Sequence, residues 1–280
     1  MFIPRLKPRV GIVFVLTRSR ELLEALAPVL AVPGRQAVPV EDWAHLRELY
    51  LDAPPTALFV ADAYADGSGR GEVDPELRRF LVDFPACALI APTIVDEANL
   101  QSVRALSAYG VADILDLGME MQAWRLDARL RITVQSRVHR ALEGLALLEA
   151  PATRVFLAAA AVVIARTADP SRVAGALRVR DDELRDFCER RALPEPGRLL
   201  EWIRLVYASE LLDEPARPPV SAARALGYAS LEEMEEQTLQ LVGLPAGELR
   251  ALGAYRLVAS GLRNELLAVR REAENGRGER

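Results

Sequence analysis

Apolar positions along residues 9–117 switch back and forth between two spacings. Val10 to Leu16 is a continuous run rich in β-branched side chains, which suits a strand covered on both faces. Ser19 follows as a candidate N-cap, and Leu22, Leu23, Leu26, Val29 and Leu30 then recur at helical intervals. The same alternation predicts strands at Gln36–Val40, Ala57–Ala61, Ala86–Ile90 and Val111–Leu115. Helices are predicted between them at Glu41–Leu51, 75–83 and Glu97–Tyr109. Five strands, each followed by a helix, require parallel crossovers and a sheet with helices on both faces. The expected fold of residues 1–118 is therefore α/β, a flavodoxin-like five-stranded parallel sheet.

Beyond the sheet the period is helical throughout. In residues 119–152, Leu130, Val134, Val138, Ala141, Leu145 and Leu148 fall three or four apart. That stripe suits packing on its own domain, a bridge between domains, or a homodimer through 119–150, and is too short to establish a coiled coil. Residues 153–271 are predicted all-α, with turns at Asp169-Pro170, Leu193-Pro194, Pro215 to Pro219 and Gly243 to Ala246. The charged, glycine-containing stretch 272–280 is expected to be disordered.

Composition narrows the chemistry. The net charge of −5 gives no global attraction to nucleic acid or to acidic membranes, so any such contact needs a local patch. Two cysteines, Cys87 and Cys188, lie far apart inside apolar segments, as expected of buried free thiols. Only His45 and His139 are present, too few for a histidine-based metal site or triad. No enzyme, metal or cofactor is expected. The N-terminus lacks the apolar core of a signal peptide, and no run approaches the roughly 20 apolar residues of a membrane span. The expectation is a cytoplasmic protein without a membrane partner.

The stretch Val220 to Arg250 has the layout of a helix-turn-helix: a short helix, a turn at Leu226-Gly227-Tyr228, a second helix, then Gly243-Leu244-Pro245. With Ala223, Met234, Thr238 and Arg250 at their positions, it resembles the second DNA-binding unit of the AraC/XylS family of bacterial transcription regulators. A looser first unit matches at Val173-Ala174, Leu177, Leu184 and Cys188, with Arg178 where glycine is usual. Pro196, Leu199, Trp202, Arg204-Leu205, Ala208 and Leu211-Leu212 match the connecting helix. The resemblance implies two recognition helices on one face of DNA, and covers 153 to about 252. It makes Arg178, Arg180 and Arg185 groove candidates, and Arg190, Arg198 and Arg204 phosphate candidates. Residues 154–255 nevertheless carry 13 Arg against 16 Asp and Glu, while 154–219 balance at 11 each. The excess lies in the second unit, where Glu232, Glu233, Glu235 and Glu236 occupy four of five positions and are expected to repel phosphates.

The order of elements in residues 1–118 resembles a response-regulator receiver. That likeness implies an acidic pair for Mg²⁺ after the first strand, an acceptor Asp after the third, Thr or Ser after the fourth and Lys after the fifth. Asp62 and Thr93 fall near two of those places. Phe14, Val15 and Leu16 replace the acidic pair, and Leu117 stands at the Lys position. The expectation is a pseudo-receiver that takes no phosphoryl group. The loop Asp66-Gly67-Ser68-Gly69-Arg70-Gly71 follows a strand but has no P-loop Lys-Ser/Thr, so a plain loop is expected. Arg125, Arg129, Arg131, Arg137, His139 and Arg140 form the densest basic stretch, either the wet face of an amphipathic helix or an approach to DNA. The functional expectation is a DNA-binding transcription regulator. Its alternative is a protein-interaction module whose acidic second unit meets a basic protein partner.

Overall fold

A computed structural model of the chain describes residues 11–64, 66–142, 150–164 and 169–278. It separates into two compact units. Lys7–Arg137 and the short segment Glu214–Arg217 make the α/β unit. Val138–Asp213 and Pro218–Arg280 make the helical unit.

The α/β unit runs β1 (Ile12–Leu16), α1 (Arg20–Leu30), β2 (Gln36–Pro39), α2 (Trp43–Asp52), β3 (Leu58–Ala61), α3 (Pro75–Asp83), β4 (Leu89–Thr93), α4 (Leu100–Tyr109), β5 (Asp113–Asp116) and α5 (Ala123–Leu142). All five strands are parallel, in the order β2-β1-β3-β4-β5. This is the flavodoxin-like arrangement. The two-residue period of the strands divides the core. Phe14, Phe59, Leu89 and Ala91 face Leu46, Tyr50, Leu77, Phe80 and Leu106 of α2, α3 and α4. Val13, Val15, Leu58, Val60, Ile90 and Leu115 face Leu22, Leu26, Val29, Leu126 and Leu130 of α1 and α5.

Two strands sit later than the sequence predicts. β4 spans 89–93 rather than 86–90, because Phe84 to Cys87 is spent on a turn closed by Cys87 N–H to Phe84 C=O at 3.0 Å. Pro92 is tolerated because β3 pairs only with Leu89 and Ile90, so no ladder donor is needed at its position. β5 starts at Asp113 because Gly110 (φ 89) and Val111 close the end of α4. α5 belongs to the sheet over its first turns: Leu126 and Leu130 are buried, and the Thr133 hydroxyl donates to Asp113 at 3.2 Å. The α/β unit thus extends along α5 as far as Arg137. Of the basic stretch, Arg129 binds Glu120 and Asp113, and Arg131 binds Asp127. The side chains of Val134, Arg137, Val138, His139, Arg140 and Ala141, and all of Leu145 and Leu148, lie outside the described residues, and with them most of the stripe considered for dimerisation.

The helical unit continues with α6 (Ala150–Ile164), α7 (Pro170–Leu177), α8 (Asp181–Arg190), α9 (Pro196–Leu212), α10 (Pro219–Ala225), α11 (Leu231–Val242), α12 (Ala246–Leu252) and α13 (Ala254–Gly278). α9 is its axis. Leu199, Leu200, Trp202, Ile203, Leu205, Val206, Tyr207, Ala208, Leu211 and Leu212 are all buried, so apolar side chains leave it in almost every direction. The other helices of the unit pack around it, α6 and α13 most extensively. α13 runs on to Gly278, so the charged stretch expected to be irregular is helical over 272–278. Asp213 caps its start, accepting from Ala254 and Tyr255 N–H at 2.7 and 3.0 Å. Among the described residues no helix is long and apolar enough to cross a membrane.

Candidate nucleic-acid interface and the closed edge of the sheet

Within the helical unit two helix pairs have short turns. In the first, the Asp169 carboxylate caps α7 by accepting from Ser171 N–H at 2.9 Å. α7 ends on Arg178, which turns the chain in the left-handed region (φ 58, ψ 43). A side chain costs roughly 1 kcal/mol there compared with ordinary helical geometry. α8 starts after Arg180, whose backbone N–H donates to the Glu183 carboxylate at 2.9 Å. Leu184 and Cys188 seat α8 on the core, and burial pushes the Cys188 thiol up to about 11. Asp181, Asp182, Arg185, Asp186, Glu189 and Arg190 are exposed on the rest of the helix.

The second pair is held by a clip from α9. Gly227 (φ 72) makes the turn after α10, and Ser230 caps α11 by accepting from Glu233 N–H at 3.3 Å. Glu233 reaches back to accept Ala229 N–H at 2.6 Å, and its other oxygen takes Arg204 Nη1 at 3.0 Å. Arg204 also donates Nε–H to the Leu226 carbonyl at 3.2 Å and lies 3.5 Å over the Tyr228 ring. Burial raises the Tyr228 phenol, whose hydroxyl is bonded to Gln237. Met234 and Thr238 are fully buried against the core. Glu232 and Glu236 remain exposed, Glu235 is half-buried, and Leu239 is half-exposed beside them. Glu233 is thus tied to the turn and to Arg204 although its side chain stays partly exposed, and the other three clustered glutamates lie on the outer side.

The expected DNA-contact residues divide into two groups. Arg178 and Arg185 are exposed and make no ion pair among the described residues. Arg180 is exposed and pairs with Asp182 at 3.1 Å and Glu183 at 3.8 Å, while Arg190 is exposed in the last turn of α8. These four belong to the α7–α8 pair. Arg198 instead forks onto Glu265 of α13, at 2.8 and 3.0 Å, and reaches Glu201 at 3.3 Å. Burial works to raise Glu265, but the hydrogen bonds from Arg198, a contribution from Trp202 and the Arg198 charge together hold the carboxyl below its ordinary value. Arg198 and Arg204 are therefore braces of the helical core, their donors already engaged.

In the α/β unit the candidate residues meet at the C-terminal edge of the sheet, the usual ligand edge of such a fold. The Asp62 carboxylate accepts from the Thr17 hydroxyl at 2.6 Å and from Arg18 N–H at 2.7 Å. It closes the β1–α1 turn where an acidic pair would face a cation. Thr93 is fully buried and takes part in a polar cluster with Tyr64 and Asn99, at 2.7 and 3.0 Å. The glycine loop lies over this cluster. The Gly69 carbonyl accepts from Thr93, Asn99 and Ile94 N–H at 3.0, 3.2 and 2.9 Å. Gly69 (φ 73) approaches so closely that a Cβ would stand 2.9 Å from Leu117. The loop predicted to be plain is a stopper, and Leu117 packs beneath it where a receiver would offer an ammonium. Among the described residues no cluster of three or more His, Cys, Asp or Glu is placed to hold a metal ion.

The sequence offered no warning of one further cluster, Tyr50, Glu214 and Arg217, all buried in the α/β unit. Only the prolines around 215–219 marked that stretch, and they signal a turn rather than its contacts. No family model, no curated protein and no solved structure matches this chain.

Proposed function

We propose that the chain is a DNA-binding regulator in which a receiver-like unit without phosphotransfer chemistry accompanies a divergent AraC-type helix-turn-helix domain. One observation carries this reading. α8 and α11 are each the second helix of a short-turn pair, each seated on α9 by one apolar edge with the opposite side in solvent. Arg178, Arg180, Arg185 and Arg190 supply donors for phosphates and base edges on the first pair. The glutamates of α11 oppose a second groove contact, so binding is carried by α8. Fluorescence anisotropy with labelled duplex DNA across a salt series tests it. Affinity should fall steeply with salt, and the double variant Arg180→Ala, Arg185→Ala should abolish binding. No association even at low salt would refute the proposal.

A second reading is favoured by the outer side of α11, where Glu232, Glu235 and Glu236 surround Leu239. It makes the helical unit an interaction module for a basic protein. Retention of duplex DNA by the wild-type protein at low salt separates the two.

A further inference from the structure

We infer that the α/β unit contains a recognition slot for a four-residue turn with Glu first and Arg last, which the chain fills with its own Glu214-Pro215-Ala216-Arg217. The inference is independent of whether the helical unit binds DNA. Glu214 and Arg217 are 0% and 1% exposed, whereas Pro215 and Ala216 between them are exposed. The segment is a β-turn closed by Arg217 N–H to Glu214 C=O at 3.3 Å, with Pro215 at the position where a fixed φ favours it. Both charged side chains therefore point inward from a turn whose tip is wet.

Every part of that turn has a partner in the unit. Glu214 takes the Tyr50 hydroxyl at 2.5 Å on one oxygen and Arg217 Nε–H at 2.6 Å on the other. The Arg217 guanidinium lies 4.5 Å from the centre of the Tyr50 ring. It also donates to the carbonyls of Leu51 at 2.9 Å and Tyr50 at 3.3 Å. α2 ends there, so its last C=O groups are open to donors from outside the helix, and the Tyr50 carbonyl also takes the Ala53 N–H at 3.2 Å. Ala216 N–H meets the Asp83 carbonyl, at the end of α3, at 3.4 Å. Phe59, Phe80 and Phe84 wall Tyr50 and keep water from the pair.

A bare core would not ask for this arrangement. Two charges taken out of water are repaid only when geometry is good and their remaining bonds are made, and an apolar pair of similar volume often does as well. The slot reads an anion through a phenol, a cation through a ring and two helix-end carbonyls, and a backbone through a third carbonyl. That is the grammar of peptide recognition, used here in cis. A competing turn of the same chemistry would displace residues 214–217.

The test uses the full chain and needs no DNA. Tyr50→Phe removes one hydroxyl and keeps the ring. It should speed hydrogen exchange at 214–218 about tenfold, with the strands β1 to β5 unchanged. In a Glu214→Ala, Arg217→Ala variant the slot is empty, and a synthetic peptide of residues 212–219 at millimolar concentration should raise the melting temperature. The same peptide with both charged residues replaced by alanine should not. Unchanged exchange at 214–218 in Tyr50→Phe, or equal effects of the two peptides, would overturn the inference.

Discussion

Arg178 holds a backbone conformation that glycine adopts without steric cost. Arg178→Gly should therefore stabilise the helical unit by about 0.5 kcal/mol, after the looser unfolded chain is counted, as measured by urea unfolding. The opposite holds at Gly261 of α13, where a Cβ would stand 2.8 Å from the buried Trp202 ring. Gly261→Ala should destabilise by about 1–2 kcal/mol, since the ring has nowhere to move and the gain in helix propensity offsets only part of the strain. The first of these was legible in the sequence, because a turn that usually takes glycine carried Arg. The second was not, since nothing local says which helix lies across Gly261. Arg198 and Arg204 show the same limit. Each is a basic residue on a helix, and only the fold reveals that Glu265 and the Tyr228 ring occupy them.

Elements were legible wherever their own residues decide them. The continuous apolar run through Val13, Phe14 and Val15 is enough to predict a strand covered on both faces, and Ser19, Asp42 and Asp74 cap the helices after β1, β2 and the glycine loop. β4 was misjudged because Ala86 to Ala88 is apolar in a turn as in a strand. The brace between α9 and α13 has a pH signature. Glu265 is held below its ordinary 4.5 in the folded chain, so its pairing stabilises fully above that value and is lost as pH falls through the lowered one. The stability difference between wild type and Glu265→Gln should accordingly be larger near pH 7 than near pH 3, read from urea midpoints. The outer side of α11 makes a further prediction. Replacing Glu232, Glu235 and Glu236 together by Gln should tighten duplex binding at low salt and steepen its salt dependence, by anisotropy, if charge alone withholds that helix from phosphates.

At the scale of the molecule, sequence order and structural unit part company at Glu214–Arg217, four residues that lie among helices in sequence but are buried with the sheet. Alternation and periodicity describe neighbours along the chain, and this cluster joins positions separated by most of it. Cys87 and Cys188 are both buried, one in each unit, and neither forms a disulfide. Their reaction with a thiol reagent should thus await opening of the respective unit, giving two labelling rates that report on the two separately.

The glycine loop bears on how such a protein is controlled. With Asp62 engaged by Thr17 and Arg18, and Leu117 under the lid, incubation with a small-molecule phosphodonor and Mg²⁺ should leave the mass unchanged. Under the proposed regulatory function, control would then pass through the amount of the polypeptide and not through a phosphoryl group at this edge of the sheet.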